Sequence, residues 1–173
     1  MKKQKGTENG FTLVELIIVI VILGILAALA IPQFVSSTKD AEEATLRADL
    51  AVMRNAINLY YHQHSSQYPG AKKVDGSLTD TVAADNPVAF IDQLNQYTDK
   101  TGKVNAALDR ALYPFGAFLA TGIPTNPVNG LATVSVVTNA TGFTVADTDG
   151  STGWLFSKVT GEIVANDDLY IAY

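Results

Sequence analysis

Residues 10–34 read GFTLVELIIVIVILGILAALAIPQF, and positions 16–31 within them carry no polar side chain. A helix running from Phe11 to Phe34 would span about 36 Å, which exceeds the hydrocarbon core of a bilayer, about 30 Å. Lysines stand at positions 2, 3 and 5, and basic residues hold the cytoplasmic side of a membrane helix. The segment is therefore predicted to enter a membrane.

Two cleavage points are compatible with this segment. Ala28-Leu29-Ala30 has the form of an ordinary signal peptidase site, and cleavage after Ala30 would release a soluble protein that begins at Ile31. Cleavage between Gly10 and Phe11 would instead leave the apolar segment on the product as an anchor.

Glu15 favours the second cleavage point. A carboxylate near the start of an apolar helix is unfavourable in lipid and is expected to have a partner. Cleavage after Gly10 creates an α-amino group on Phe11, four residues away. A staggered neighbouring copy could place that amine against Glu15 and so fix the register of two helices, because separating a buried ion pair costs about 3–5 kcal/mol.

The order of these residues resembles the class III leader of type IV pilins and type II secretion pseudopilins. Gly10, Phe11, Thr12 and Glu15 match that motif position by position, and Pro32 matches a proline within the first helix. The resemblance implies that a prepilin peptidase cuts after Gly10 and N-methylates Phe11. It also implies that Glu15 guides docking into a filament, with Phe11, Thr12 and Pro32 as further assembly residues.

The resemblance implies an α+β fold in which a long N-terminal helix packs on a small antiparallel sheet. We expect residues 1–10 to be a removed leader, residues 11–35 to be the transmembrane and filament-core helix, and residues 36–173 to form the head. Gly24 lowers helix propensity, and Pro32 removes a backbone hydrogen bond. Two alternatives therefore remain for the segment between them in an assembled fibre, namely retained helix and lost helical order.

Beyond the apolar segment, one helical stripe continues. Its members recur at spacings of three and four residues: Leu46, Leu50, Met53, Ile57, Tyr60 and His64. The helix is predicted to reach about Ser65, a length of about 82 Å, so its first half is expected to protrude from a head that packs on the second half.

Shorter elements are predicted in the head. Asn86 and Pro87 predict an N-cap and first turn of a helix that ends near Tyr97. The other expected elements are a helix over 104–112, a hairpin of 131–137 with 142–146, a hairpin of 154–158 with 162–166, and a final strand over 169–173.

Composition excludes several classes of function. The formal net charge of −5 argues against nucleic-acid binding, and the chain has no cysteine for disulfides or thiolate metal sites. His62 and His64 lack the spacing of zinc ligands, and no nucleotide-binding or hydrolase motif stands in the right context. We therefore expect a protein that is not an enzyme and has no required cofactor.

A weak calcium signal remains in the C-terminal part. Asp147, Asp149, Asp167 and Asp168 offer oxygen ligands, but the EF-hand pattern is incomplete. Pseudopilins often carry a calcium loop near this place, so a site is a subsidiary prediction beside the simpler interpretation of acidic turns.

The leading hypothesis is a subunit of a type IV pilus-like surface filament. Its expected partners are copies of itself, a prepilin peptidase, an inner-membrane platform protein and an assembly ATPase. The precursor is expected in the inner membrane and the product outside the cell. The alternatives are a pseudopilin of a periplasmic secretion fibre and a soluble binding domain released after Ala30.

Overall fold

A computed structural model of the protein describes residues 11–77 and 85–173. The chain divides into two compact units, the first ending at Ala41 and the second comprising Glu42–Tyr173. One helix, α1, covers Leu13–Gln63 and contributes residues to both units. The expected leader, residues 1–10, lies outside the described residues.

In the first unit, α1 is apolar around most of its circumference. The large apolar side chains from Leu13 to Phe34 keep between 46% and 73% of their surface exposed. The helix continues through Pro32, and the Thr38 hydroxyl donates a 2.9 Å hydrogen bond to the Phe34 carbonyl one turn earlier. A helix that is apolar all round needs a covering environment outside its own chain.

In the second unit, the predicted stripe of α1 forms one side of the core. All six residues of the stripe are buried, which confirms the 3.6-residue period read from the sequence. The opposite side of the same helix carries Ala48, Val52 and Asn55, which are exposed. α1 ends within two residues of the predicted position.

Helix α2, Asp85–Asn95, lies where a helix was predicted, with both ends shifted. Asn86 belongs to its first turn and is not the N-cap, while Pro87 occupies the early position that tolerates a missing N–H. The buried Gln93 amide bonds to Gly70 N–H and to the carbonyls of Lys72 and Gly102, at 2.8–3.1 Å. This side chain connects α2 to two turns.

The helix predicted over 104–112 is wrong. Strand β1, Tyr97–Thr98, pairs antiparallel with β2, Val104–Asn105, and turns follow β2. One oxygen of Asp99 accepts hydrogen bonds from the N–H groups of Thr101 and Lys103 at 2.7 and 3.0 Å. That local turn reverses the direction of the chain before residue 104. A count of helical periodicity does not detect such a turn.

The principal sheet is mixed, in the order β3-β4-β5. Strand β3, Val134–Val137, runs parallel to β4, Trp154–Ser157, which pairs antiparallel with β5, Ile163–Ala165. The predicted hairpin of 154–158 with 162–166 is confirmed. The predicted pairing of β3 with residues 142–146 is wrong, because β3 pairs with β4 instead.

Two further strand predictions fail for local reasons. Residues Val145–Asp147 form a 3-10 helix, in which the Asp147 carboxylate accepts 2.8 Å bonds from the N–H and hydroxyl of Thr144. Residues 169–173 form turns that begin where Asp167 accepts the Leu169 N–H at 2.9 Å. In both places a nearby carboxylate accepts the hydrogen bond of a backbone N–H group, which therefore needs no partner in a neighbouring strand.

The core of the second unit lies between α1, α2 and the three-stranded sheet. The rings of Phe90 on α2 and Phe156 on β4 lie 4.5 Å apart between centroids. Trp154 is fully buried and its indole N–H donates to the Pro124 carbonyl at 2.9 Å. The architecture is α+β, as expected, with a long N-terminal helix and small sheets.

Candidate assembly site at the start of the long helix

Thr12 and Glu15 form a reciprocal cap at the first turn of α1. The Glu15 Oε2 atom accepts the Thr12 N–H at 2.8 Å and the Thr12 hydroxyl hydrogen at 2.7 Å. In return, the Glu15 N–H donates to Thr12 Oγ1 at 3.2 Å. Two backbone donors that the helix leaves without partners are thus satisfied by side chains, the arrangement known as a capping box.

This geometry corrects part of the argument from sequence. The partner expected for the Glu15 carboxylate was the α-amino group of Phe11 in a neighbouring copy, and the structure supplies Thr12, three residues away in the same chain. The signal was present in the sequence as Thr12-x-x-Glu15 ahead of an apolar run, which is the pattern of a capping box. A pairing between Glu15 and another subunit would therefore compete with an existing contact.

The remaining predicted assembly residues do not form a pocket with Glu15. Phe11 precedes the cap and keeps 85% of its surface exposed. Pro32 lies in the middle of α1, about 17 residues or roughly 25 Å further along the helix axis. Gly10 lies outside the described residues, so the cleavage point between Gly10 and Phe11 stays a prediction.

The exposed apolar surface of α1 is the most distinctive feature around this cap. Among the described residues, α1 is the one helix long and apolar enough to cross a membrane, and none of its most apolar 18-residue stretch is buried. The Glu15 carboxylate stands at the polar end of this surface. The arrangement suits a helix that exchanges one apolar environment for another while its capped end stays hydrogen-bonded.

Three of the four candidate calcium ligands, Asp149, Asp167 and Asp168, line one pocket, and Asp147 does not. In the described parts of the chain, no group of three or more His, Asp or Glu side chains is placed to hold a metal ion. Asp147 caps a 3-10 helix, Asp167 caps the turn that follows it, and Asp168 is exposed. The geometry therefore gives the calcium prediction no support.

Asp149 instead serves the loop in which it lies. The Asn166 amide and Ser151 donate hydrogen bonds to its Oδ1 atom at 2.8–2.9 Å, and these bonds lower the pKa of Asp149 to about 2. Asn166 is fully buried and also accepts the Asp149 N–H at 2.9 Å. The carboxylate thus holds the loop against the end of β5.

A capped apolar helix at the start of an α+β chain is typical of proteins whose N-terminal helix enters a membrane. Residues 5–31 match the model of the prokaryotic N-terminal methylation motif. That match begins at Lys5 and covers the expected cleavage point, the capping box and the apolar stretch as far as Ile31.

Similar proteins carry the names of filament and secretion components. The chain is 33% identical over 90 residues to type II secretion system core protein G of Aeromonas hydrophila, covering 51% of this chain and 62% of that protein. It is 40% identical over 57 residues to the core protein G of Pseudomonas aeruginosa, covering 33% and 40%. It is 55% identical over 48 residues to type IV narrow pilus major component PilA5 of Thermus thermophilus, covering 28% and 41%.

The methylation motif and these relatives confirm the resemblance to type IV pilins and pseudopilins drawn from the N-terminal residues. The matches span between 40% and 62% of the length of these three relatives. No solved structure matches the chain.

Proposed function

We propose that this chain is a non-enzymatic structural subunit of a type IV pilus-like filament, assembled through α1 after cleavage between Gly10 and Phe11. The observation that carries the proposal is the exposed apolar surface of α1, from Leu13 to Phe34, directly behind an N-terminal methylation motif. A named pilus component shares 55% identity with the chain over 48 residues, which supports the same function.

The physical reason is the free energy of covering that surface. Burial of one Leu, Ile or Val side chain is worth about 1.5–3 kcal/mol, and fifteen large apolar residues lie exposed between Leu13 and Phe34. A bilayer covers them in the precursor. A staggered array of identical helices would cover them in the product, and a contact between unlike faces that does not close into a ring extends as a filament.

The division of the chain follows from this function. Residues 1–10 would be the leader, residues 11–35 the membrane and filament-core segment, and residues 36–173 the head. The precursor would lie in the inner membrane and the assembled product at the cell surface. Because no nucleotide-binding motif occurs in the sequence, assembly would depend on a separate ATPase and platform protein, together with a prepilin peptidase.

The N-terminus of the mature chain tests this proposal. Mass spectrometry of the chain from sheared cell-surface material should find N-methyl-Phe11 at its start and should find the chain as the main component of long fibres. A mature start at Ile31 would exclude the filament and would indicate a soluble domain. A methylated Phe11 without surface fibres, together with loss of an exported protein in a deletion strain, would indicate a pseudopilus.

A further inference from the structure

A buried histidine joins the end of α1 to the β1–β2 hairpin. His64 keeps 2% of its surface exposed, and its ring stacks on Tyr60 with centroids 3.7 Å apart and planes inclined by 6°. Its Nδ1 atom lies 2.8 Å from the Tyr60 carbonyl oxygen, and its Nε2 atom lies 2.9 Å from Thr98 Oγ1. The ring is therefore bonded at both nitrogens to different elements.

These contacts select one neutral tautomer. A carbonyl oxygen only accepts, so Nδ1 carries the hydrogen, and Nε2 must accept the hydrogen of the Thr98 hydroxyl. Thr98 is fully buried, and the rings of Phe115 and Phe118 meet the imidazole edge-on at 5.4 and 6.0 Å. A second ring proton would remove the acceptor for Thr98 and would place a charge in an apolar enclosure.

The charged groups around His64 oppose one another. Hydrogen bonds to the backbone of Tyr60 and Asp99 favour protonation, as does the charge of Asp99, whereas Lys72, in the turn after α1, disfavours it. The Tyr60 hydroxyl stays neutral, because burial raises its pKa above its ordinary value. Burial is the largest influence on the imidazole and lowers the pKa of His64, which agrees with the geometry.

We propose that His64 is an acid-sensitive latch, whose protonation detaches the β1–β2 hairpin and the segment around Phe115 from the end of α1. His64 contacts both Thr98 and Phe115, so the detachment should also open the two backbone hydrogen bonds of 2.8 and 3.1 Å that these residues exchange. The three-stranded sheet has its own backbone bonds and stays closed. The latch alters the face of the head that carries the exposed Lys100 and Lys103.

The direction of the effect follows from proton linkage. In the opened form His64 has the pKa of an exposed histidine, about 6.5, and in the closed form its pKa is lower. The opened form therefore binds more protons as the pH falls below about 6.5. Each pH unit in that window multiplies the opening equilibrium by up to about tenfold, until the pH reaches the lowered pKa of the closed form.

Amide hydrogen exchange on the full chain in detergent micelles tests the latch. After correction for intrinsic exchange rates, the protection of the Thr98 and Phe115 amides should fall by up to about sixteenfold between pH 6.5 and 5. The amides of Trp154 and Ser157, in the three-stranded sheet, should keep their protection. Equal protection of the hairpin at both pH values overturns the proposal, as does simultaneous loss across all four amides.

The chain offers a matched control, because His62 lies two residues away and is exposed. His64→Gln should make the protection of Thr98 and Phe115 independent of pH, whereas His62→Gln should retain the response of the wild-type chain. If His64→Gln fails to fold, a ¹H–¹³C titration of the wild-type chain decides. The His64 ring signals and the Thr98 amide must then shift together below pH 6.5, and separate midpoints reject the latch.

Discussion

Glu15 has two potential partners, and its surroundings decide between them. In the single chain its carboxylate accepts two hydrogen bonds from Thr12. In the proposed fibre, the α-amino group of a neighbouring Phe11 would be the second partner, because its full charge would attract a carboxylate more strongly than a hydroxyl does. The capping box would keep Glu15 hydrogen-bonded within the membrane until that stronger partner arrives, and the Thr12 hydroxyl would then be released at modest cost.

Replacement of Glu15 separates docking from helix capping. Glu15→Val should leave membrane insertion and cleavage intact and should lower the yield of sheared fibre by about tenfold or more, because the carboxylate partner of the neighbouring amine is lost. The measurement is quantitative immunoblotting of sheared and cell-bound fractions, with the cleaved chain identified by its mass.

Thr12→Val is the matched control, because it removes the capping hydroxyl and keeps the carboxylate. If docking limits assembly, Thr12→Val should give clearly more fibre than Glu15→Val. Equal loss in the two variants would show that the helix cap, and not the pairing between subunits, is what assembly requires. Wild-type yield from Glu15→Val would reject the role of Glu15 in fixing register.

The elements of this fold differ in how far the sequence predicts them. The stripe from Leu46 to His64 repeats over five intervals, and repetition makes the helical period unambiguous. The 104–112 and 142–146 segments are short, and single side chains, Asp109 and Asp147, accept the backbone hydrogen bonds of their turns. The parallel pairing of β3 with β4 depends on contacts between distant parts of the chain, which local patterns do not contain.

The turn between β4 and β5 shows such a long-range dependence in one residue. Gly161 adopts φ +75°, where a Cβ atom is strained, and a Cβ atom there would also meet the ring of Tyr68. Gly130 has a similar φ of +72°, yet a Cβ atom would meet no heavy atom within 4 Å. Comparison of Gly161 with Gly130 therefore distinguishes the effect of backbone strain, which both positions share, from that of a packing conflict, which only Gly161 has.

Alanine at these two glycines should therefore have different effects on stability. We expect Gly130→Ala to lower the free energy of unfolding by about 1 kcal/mol, through the positive φ alone. Gly161→Ala should lower it by about 2–4 kcal/mol, because Tyr68 must also move. Urea unfolding followed by tryptophan fluorescence reports on the buried Trp154, and equal losses in the two variants would contradict the predicted packing conflict.

On the scale of the whole molecule, burial separates two kinds of surface in one chain. The second unit has its own core, which includes Leu46, Leu50 and Met53 on α1 and Phe156 on β4. Within residues 11–41, the described part of the first unit, no residue belongs to that core, and the large apolar side chains are exposed. The sequence predicts this contrast, because a run without polar residues and a run with helical period are both visible in it. The mature N-terminus is a product of processing and has to be measured.

The contrast predicts that the second unit folds without the first. A fragment comprising residues 42–173 retains every residue of the buried core, and it lacks the fifteen large apolar side chains that lie exposed between Leu13 and Phe34. We expect it to be monomeric in size-exclusion chromatography with light scattering, to unfold cooperatively, and to form no fibres.

A fragment that begins at Asn55 is the matched control, because it loses Leu46, Leu50 and Met53, each of which should contribute about 2–5 kcal/mol. The summed loss of stability from these three side chains is comparable to the whole stability of an ordinary domain, about 5–15 kcal/mol. That shorter fragment should therefore be unfolded. Fibres formed by residues 42–173 would show that assembly resides in the head, and would contradict the role proposed for α1.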